Sequence, residues 1–188
     1  MFSLLLFYFI CGNNAFGISA DKMIAKGKWS IQAIEKCPEP EQYYLQYEVS
    51  KRKLTRMKDG FDADFQLAIT MDETFSMHAE MCQFVDGGCK PFQEFDEDCF
   101  VCFINKYAES NAKKLLSMAD IDPPEFPVAP GEYAVTGYDF DYCELPQDGV
   151  VGTFGVTGYV MNGSEALFCC YMIAEFVELD EDESNECV

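Results

Sequence analysis

Histidine, tryptophan and basic side chains are scarce in this chain, and each shortage removes a class of function. One histidine, His78, serves the whole length. A Ser-His-Asp constellation would have to use it, yet nothing in the text places a nucleophile beside it. Neither a Gly-x-Ser-x-Gly elbow nor a phosphate-cradling glycine loop is present. The same shortage limits zinc to an all-cysteine site, and the CxxC formed by Cys99 and Cys102 has no second CxxC to complete it. No metal and no cofactor is therefore expected. Thirteen Lys and Arg stand against thirty-three Asp and Glu, a net charge of −20, so nucleic acid would be repelled. Carboxylates this numerous make any single pair an arbitrary choice for glycosidic acid–base chemistry. The reading is a protein that is not an enzyme.

Long apolar runs are also scarce. The one at the start, "FSLLLFYFIC" over residues 2–11, is followed by polar Gly12-Asn13-Asn14 and then by small Ala15 and Gly17. That order has the form of a secretory signal peptide cleaved after Gly17 or Ala20. The alternative is a membrane anchor, but the run is about half of the roughly 20 residues a spanning helix needs. Residues 1–20 are read as the signal, 21–178 as one domain, and 179–188 as an acidic disordered tail. Secretion is the expected destination, with the lysosomal lumen as the alternative. Cleavage removes one of ten cysteines, and nine in an oxidising compartment imply disulfides with one thiol left over.

The few basic residues are unevenly placed. Lys51, Arg52, Lys53, Arg56 and Lys58 crowd into "KRKLTRMK". Such a cluster is either a solvated hairpin balancing an acidic surface or a contact for an anionic head group or membrane. "ELDEDESNECV" at the other end has six acidic residues and no basic one.

What the chain does have is alternation. In "FDADFQLAIT" the side chains of Phe61, Ala63, Phe65, Leu67 and Ile69 share one face, which predicts a half-buried strand. Asp59-Gly60 before it predicts a hairpin turn to a strand over about 45–57. "TFSMHAEM" puts Phe75, Met77, Ala79 and Met81 on one face and His78 on the other. "KWSIQAIEKC", "GEYAVTGYDF", "VGTFGVTGYVM" and "ALFCCYMIAEFVEL" predict further strands, the last two joined by a turn at Asn162-Gly163. Asn162-Gly163-Ser164 is also an N-glycosylation sequon at an exposed tip. Over 96–119 the spacing of Phe100, Phe103, Ile104, Tyr107, Leu115 and Met118 turns helical. The prediction is a mainly β, antiparallel sandwich with one helical insertion.

Cys99-x-x-Cys102 near a helix start has the spacing of a redox pair. The acidic residues Asp96, Glu97 and Asp98 would raise a thiol pKa there, and structural disulfides are the preferred reading. Seventeen Phe and nine Met are many for this length. Most will be ordinary sandwich core, yet the same residues could line a cavity that accepts an acyl chain. Periodicity alone does not separate a filled sandwich from a hollow one.

The order of motifs carries more. A strand led by Trp29 runs to Cys37, a second strand ends in C-x6-C at Cys82 and Cys89, and a helical segment follows. Then come "PVAPGEY", the step Glu144-Leu145-Pro146, and a final hairpin containing "CYMIA". Over roughly residues 28–178 this series resembles the GM-two ganglioside activator proteins, lipid carriers of the ML lipid-recognition group, and their arthropod relatives. The resemblance implies an immunoglobulin-like β-cup, two antiparallel sheets around an apolar cavity, with no catalytic residues. It implies a Cys82–Cys89 bridge, and Cys37 paired with Cys169 or Cys170. The family's Cys-Pro-Phe is missing from "FPVAPGEY", so a bridge from Cys99 or Cys102 to Cys143 is expected instead, with Cys187 as the leftover thiol. Phe61, Phe65, Leu67, Phe75, Met77, Phe100, Phe103, Tyr107, Phe154 and Val156 are the expected cavity or core wall. The helix carrying Phe100, Phe103 and Tyr107 would form one side of the mouth. The expected ligand is a fatty acid, sterol or glycolipid, taken up with transient membrane contact and with or without a protein partner. The competing reading is a secreted acidic interaction protein with a filled core. A thiol oxidoreductase using Cys99 is the third.

Overall fold

Alternating apolar residues become the inner faces of two sheets in the computed structural model, which describes residues 24–38, 43–55 and 59–179, Asp59 for its backbone alone. The described strands are β1 (Ile24–Lys36), β2 (Leu45–Lys53), β3 (Asp59–Leu67), β4 (Ser76–Val85) and β5 (Gly88–Glu97). Helices α1 (Phe100–Tyr107) and α2 (Glu109–Met118) follow, then β6 (Gly131–Tyr138) and a 3-10 turn (Tyr142–Glu144). β7 (Asp148–Val150), β8 (Gly152–Asn162) and β9 (Glu165–Glu178) complete the described chain. One sheet has six strands in the order β5-β4-β8-β9-β1-β7, and the other has three in the order β2-β3-β6. Every described ladder is antiparallel. The fold is thus a mainly β antiparallel sandwich with its helices in one segment, as expected from the sequence.

Each strand face goes where period two sends it. Phe75, Met77, Ala79 and Met81 are all buried, while His78 lies on the outer face, its Nδ1 2.9 Å from Asp96 Oδ1. Trp29 on β1 packs its ring 4.8 Å from Phe176 on β9 and 5.9 Å from Phe154 on β8. Tyr47 on β2 meets Phe168 on β9 at 5.1 Å, joining the two sheets through their cores.

Four details differ from the sequence expectation. Asp59 and Gly60 are ladder residues, paired with Lys53 and Arg52, so the β2–β3 connection is 54–58 and not a two-residue turn. Likewise Asn162 pairs with Glu165, and the loop residues of the last hairpin are Gly163 and Ser164. Gly163 has φ 58°, the left-handed backbone such a short loop requires. The third difference is β5, a strand the apolar pattern did not announce, because its residues are mostly exposed or half-buried. Pro91 is accommodated in it because β5 is the outermost strand of its sheet. Lastly, the single expected helix over 96–119 is two. Asp96 and Glu97 belong to β5, and Ala108, at φ −163° and ψ 48°, breaks the remainder into α1 and α2.

The expected signal at 1–20 lies outside the described residues, as do Arg56, Lys58 and the tail beyond Leu179.

Candidate functional site

Where the three-stranded sheet meets β1 and α2, the inner faces leave a cleft of about 60 Å³. Its buried floor is Leu45, Tyr47, Phe61, Leu115, Tyr138 and Phe140, and its half-buried rim is Ile34, Val49, Ala63 and Phe65. Asp64 is the one charged residue in the lining. Local geometry explains the membership. Leu45, Tyr47 and Val49 are alternate residues of β2, and Phe61, Ala63 and Phe65 are alternate residues of β3. Ile34 joins them because the β1–β9 register shifts between Ile31 and Ala33. That bulge moves the inward phase of β1 by one residue after Trp29 and Ile31.

The floor is held by a buried polar knot. Asn111 near the start of α2 is 2% exposed. Its Nδ2 donates to Asp141 O at 2.9 Å and to Glu144 Oε2 at 2.6 Å, and its Oδ1 accepts from Tyr138 OH at 3.2 Å and Asp141 N at 2.8 Å. Glu144 also accepts from the backbone amides of Ser110 and Asn111 at 2.7 and 2.9 Å, capping α2 from a distant loop. Tyr138 and Leu115 are thereby fixed from behind, and burial together with nearby Glu144 pushes the Tyr138 phenol pKa up. Tyr47 is held in the same manner, its OH donating to Glu35 O at 2.7 Å across the sheets, and burial raises its pKa as well.

Lys51 takes the next alternate position of β2 beyond Val49, opposite Phe61 on β3. It is exposed, and its Nζ donates to Ile31 O on β1 at 3.3 Å, reaching across to the other sheet. Arg52 points the other way. Its Nη1 is 3.1 and 3.2 Å from the Asp62 carboxylate oxygens, and Asp62 also accepts from Gly137 N at 2.7 Å. The Gly137 amide first, and the guanidinium second, hold the Asp62 carboxyl below the usual carboxylate range. Lys53 is exposed. The basic stretch is therefore divided, one ammonium reaching toward β1 and one guanidinium paired with Asp62 on β3.

Of the ten expected wall residues, Phe61 and Phe65 line the cleft. Leu67, Phe75, Met77, Phe100, Phe103, Phe154 and Val156 are buried in the core outside that lining, and Tyr107 is half-buried with its ring 4.9 Å from Phe103. The helix side of the cleft comes from Leu115 on α2, not from α1 as expected. Tyr47 and Val49 could have been found from the alternation of β2, whereas Ile34 falls out of phase with Trp29 and Ile31 and is reached only through the bulge. Asn111 carries no such signal, since "ESNAKK" reads as a polar helix face.

A scan against protein-family models finds no match, and neither does a search of curated proteins.

Three disulfides are described. Cys37–Cys169 joins the end of β1 to β9, and Cys82–Cys89 closes the β4–β5 hairpin, as the resemblance implied. The third departs from expectation: Cys99 is bonded to Cys102, so neither bridges to Cys143, which is disulfide-bonded elsewhere. The short Cys99–Cys102 reach is available because the helix start folds both into one turn. Among the described residues the free thiol is buried Cys170, whose pKa burial pushes up to about 11; Cys187 lies outside the description.

Proposed function

We propose that the protein is a secreted, non-enzymatic carrier that holds an apolar chain between its sheets, similar in role to the ganglioside activator proteins. One observation carries the reading: among the described residues the two sheets share no ladder, so the walls of the cleft can part without breaking a described ladder. The apolar rim of Ile34, Val49, Ala63 and Phe65 is the natural port of entry. An opening of about 60 Å³ is smaller than the roughly 150 Å³ that admits benzene. Uptake therefore requires the three-stranded sheet to move outward, and a ligand-free carrier stays closed. Lys51, exposed and cross-strand from the lining residue Phe61, favours a ligand with an anionic head held at the surface. The disulfides suit an oxidising compartment. No described helix is long and apolar enough to cross a membrane.

The decisive measurement is native mass spectrometry of protein secreted by a eukaryotic host, followed by solvent extraction. A stoichiometric lipid is expected. Ala63→Phe fills the cleft and should weaken fatty-acid uptake about tenfold or more, some 1.4 kcal/mol, while the melting curve changes little. An apo mass that takes up no fatty acid, sterol or glycolipid overturns the reading.

The small cleft volume favours a second reading, a filled-core protein whose acidic surface binds a basic protein partner. That alternative predicts complexes that weaken steeply with salt and contain no lipid.

A further inference from the structure

The Cys99–Cys102 bridge contributes the least to the fold of the three described, and it is the one built for exchange. Cys37–Cys169 spans 132 residues and Cys82–Cys89 spans 7, whereas Cys99 and Cys102 are 3 apart. The turn they share is already closed by the bond from Phe103 N to Cys99 O at 3.0 Å. It is anchored by Phe100, which is fully buried and donates its amide to Phe75 O at 2.7 Å. Removing the bridge leaves all of this in place.

Its sulfurs occupy unequal positions. Cys102 is exposed, while Cys99 is half-buried at the N-cap of α1, where its Sγ accepts the Cys102 amide at 3.0 Å. A negative charge on Cys99 Sγ is stabilised there by that N–H and by the helix dipole. Asp96, Glu97 and Asp98 oppose it. Asp96 is turned toward His78, however, and Asp98 is exposed and acts through screening water. The contact hydrogen bond outweighs them.

From this geometry we infer that Cys99–Cys102 is a redox-active disulfide that accepts electrons from the thiols of an external dithiol. A substrate thiolate attacks exposed Cys102 Sγ, the S–S bond breaks, and Cys99 leaves as the thiolate while a mixed disulfide forms at Cys102. The substrate's second thiolate attacks its own sulfur in that mixed disulfide, forming the substrate disulfide and releasing Cys102 as a thiolate. The substrate loses two electrons, the bridge gains them, and the two thiolates take up the two protons the substrate gives up. Exchange with a small-molecule disulfide such as oxidised glutathione reverses the change. The inference is independent of what the cleft holds.

The test equilibrates the full secreted chain with glutathione buffers of graded ratio, quenches by alkylation and reads each bridge by peptide mass spectrometry. Cys99–Cys102 should open at a reduced-to-oxidised ratio at least tenfold below that needed for Cys37–Cys169 or Cys82–Cys89. Cys102→Ala should leave a Cys99 thiol that alkylates with a midpoint below that of a free cysteine, whereas Cys102 in Cys99→Ala titrates normally. The double replacement of Cys99 and Cys102 by Ser should keep the melting curve and lose the ability to oxidise a reduced dithiol peptide. Equal resistance of all three bridges, an ordinary Cys99 midpoint, or collapse of the double variant would each overturn the inference.

Discussion

Both hydrogens of the Asn111 amide and both lone pairs of its oxygen are taken, by Asp141 O, Glu144, Tyr138 OH and Asp141 N. An amide used to capacity inside the core cannot be truncated without leaving partners bare, at about 1–3 kcal/mol for each buried group. Asn111→Ala should therefore destabilise the protein by about 3 kcal/mol in urea titration. A loss below about 0.5 kcal/mol would show that water replaces the knot. At this scale the sequence was least legible. Asn111 sits among polar neighbours in "ESNAKK", and its burial follows from a loop thirty residues away. Met77 and Phe154, by contrast, announced their burial through alternation, and are 1% and 0% exposed.

Elements meet their neighbours through a few specific groups, and the β3–β6 ladder has one in Asp62. The ladder shifts register between Phe61 and Ala63, and the Asp62 carboxylate takes the Gly137 amide at that point. Because the folded state depresses this carboxyl, its contribution is present above the unfolded value of about 4 and is lost as pH falls through the depressed value. Asp62→Asn should flatten that part of the acid unfolding curve, measured by circular dichroism between about pH 5 and pH 2. An unchanged curve would place the acid sensitivity elsewhere. Strand positions were readable where one face is apolar, as in β3, β4 and β8. β5 escaped because its core-facing aromatics, Phe92 and Phe95, stand three residues apart across a shift in the β4–β5 register, out of period two.

Taken whole, the described chain is two sheets joined through core side chains, with Cys37–Cys169 fastening β1 to β9 within the six-stranded one. Cys37–Cys169 closes the longest described loop, 132 residues between its ends. In the chain-entropy account that constraint is worth about 4–5 kcal/mol, against about 2–3 kcal/mol for Cys82–Cys89. Replacing both Cys37 and Cys169 by Ala should lower the thermal midpoint clearly more than replacing Cys82 and Cys89, as read by calorimetry. The reverse order would mean that the hairpin bridge, not the inter-strand one, holds the rim of the cup.

Strand content, sandwich class and the buried face of most strands were determined by the sequence alone. Period-two alternation fixes the direction of each side chain relative to its own backbone, and turn residues bound each run. Three things were decided only in three dimensions. The distance between facing sheets is set by how bulky residues far apart in the chain interdigitate, so the cleft and its 60 Å³ were invisible to periodicity. The β1 bulge that turns Ile34 inward depends on pairing with β9. The choice of Cys169 over Cys170 depends on which sulfur the β1–β9 ladder presents to Cys37, since neighbouring strand residues point to opposite faces.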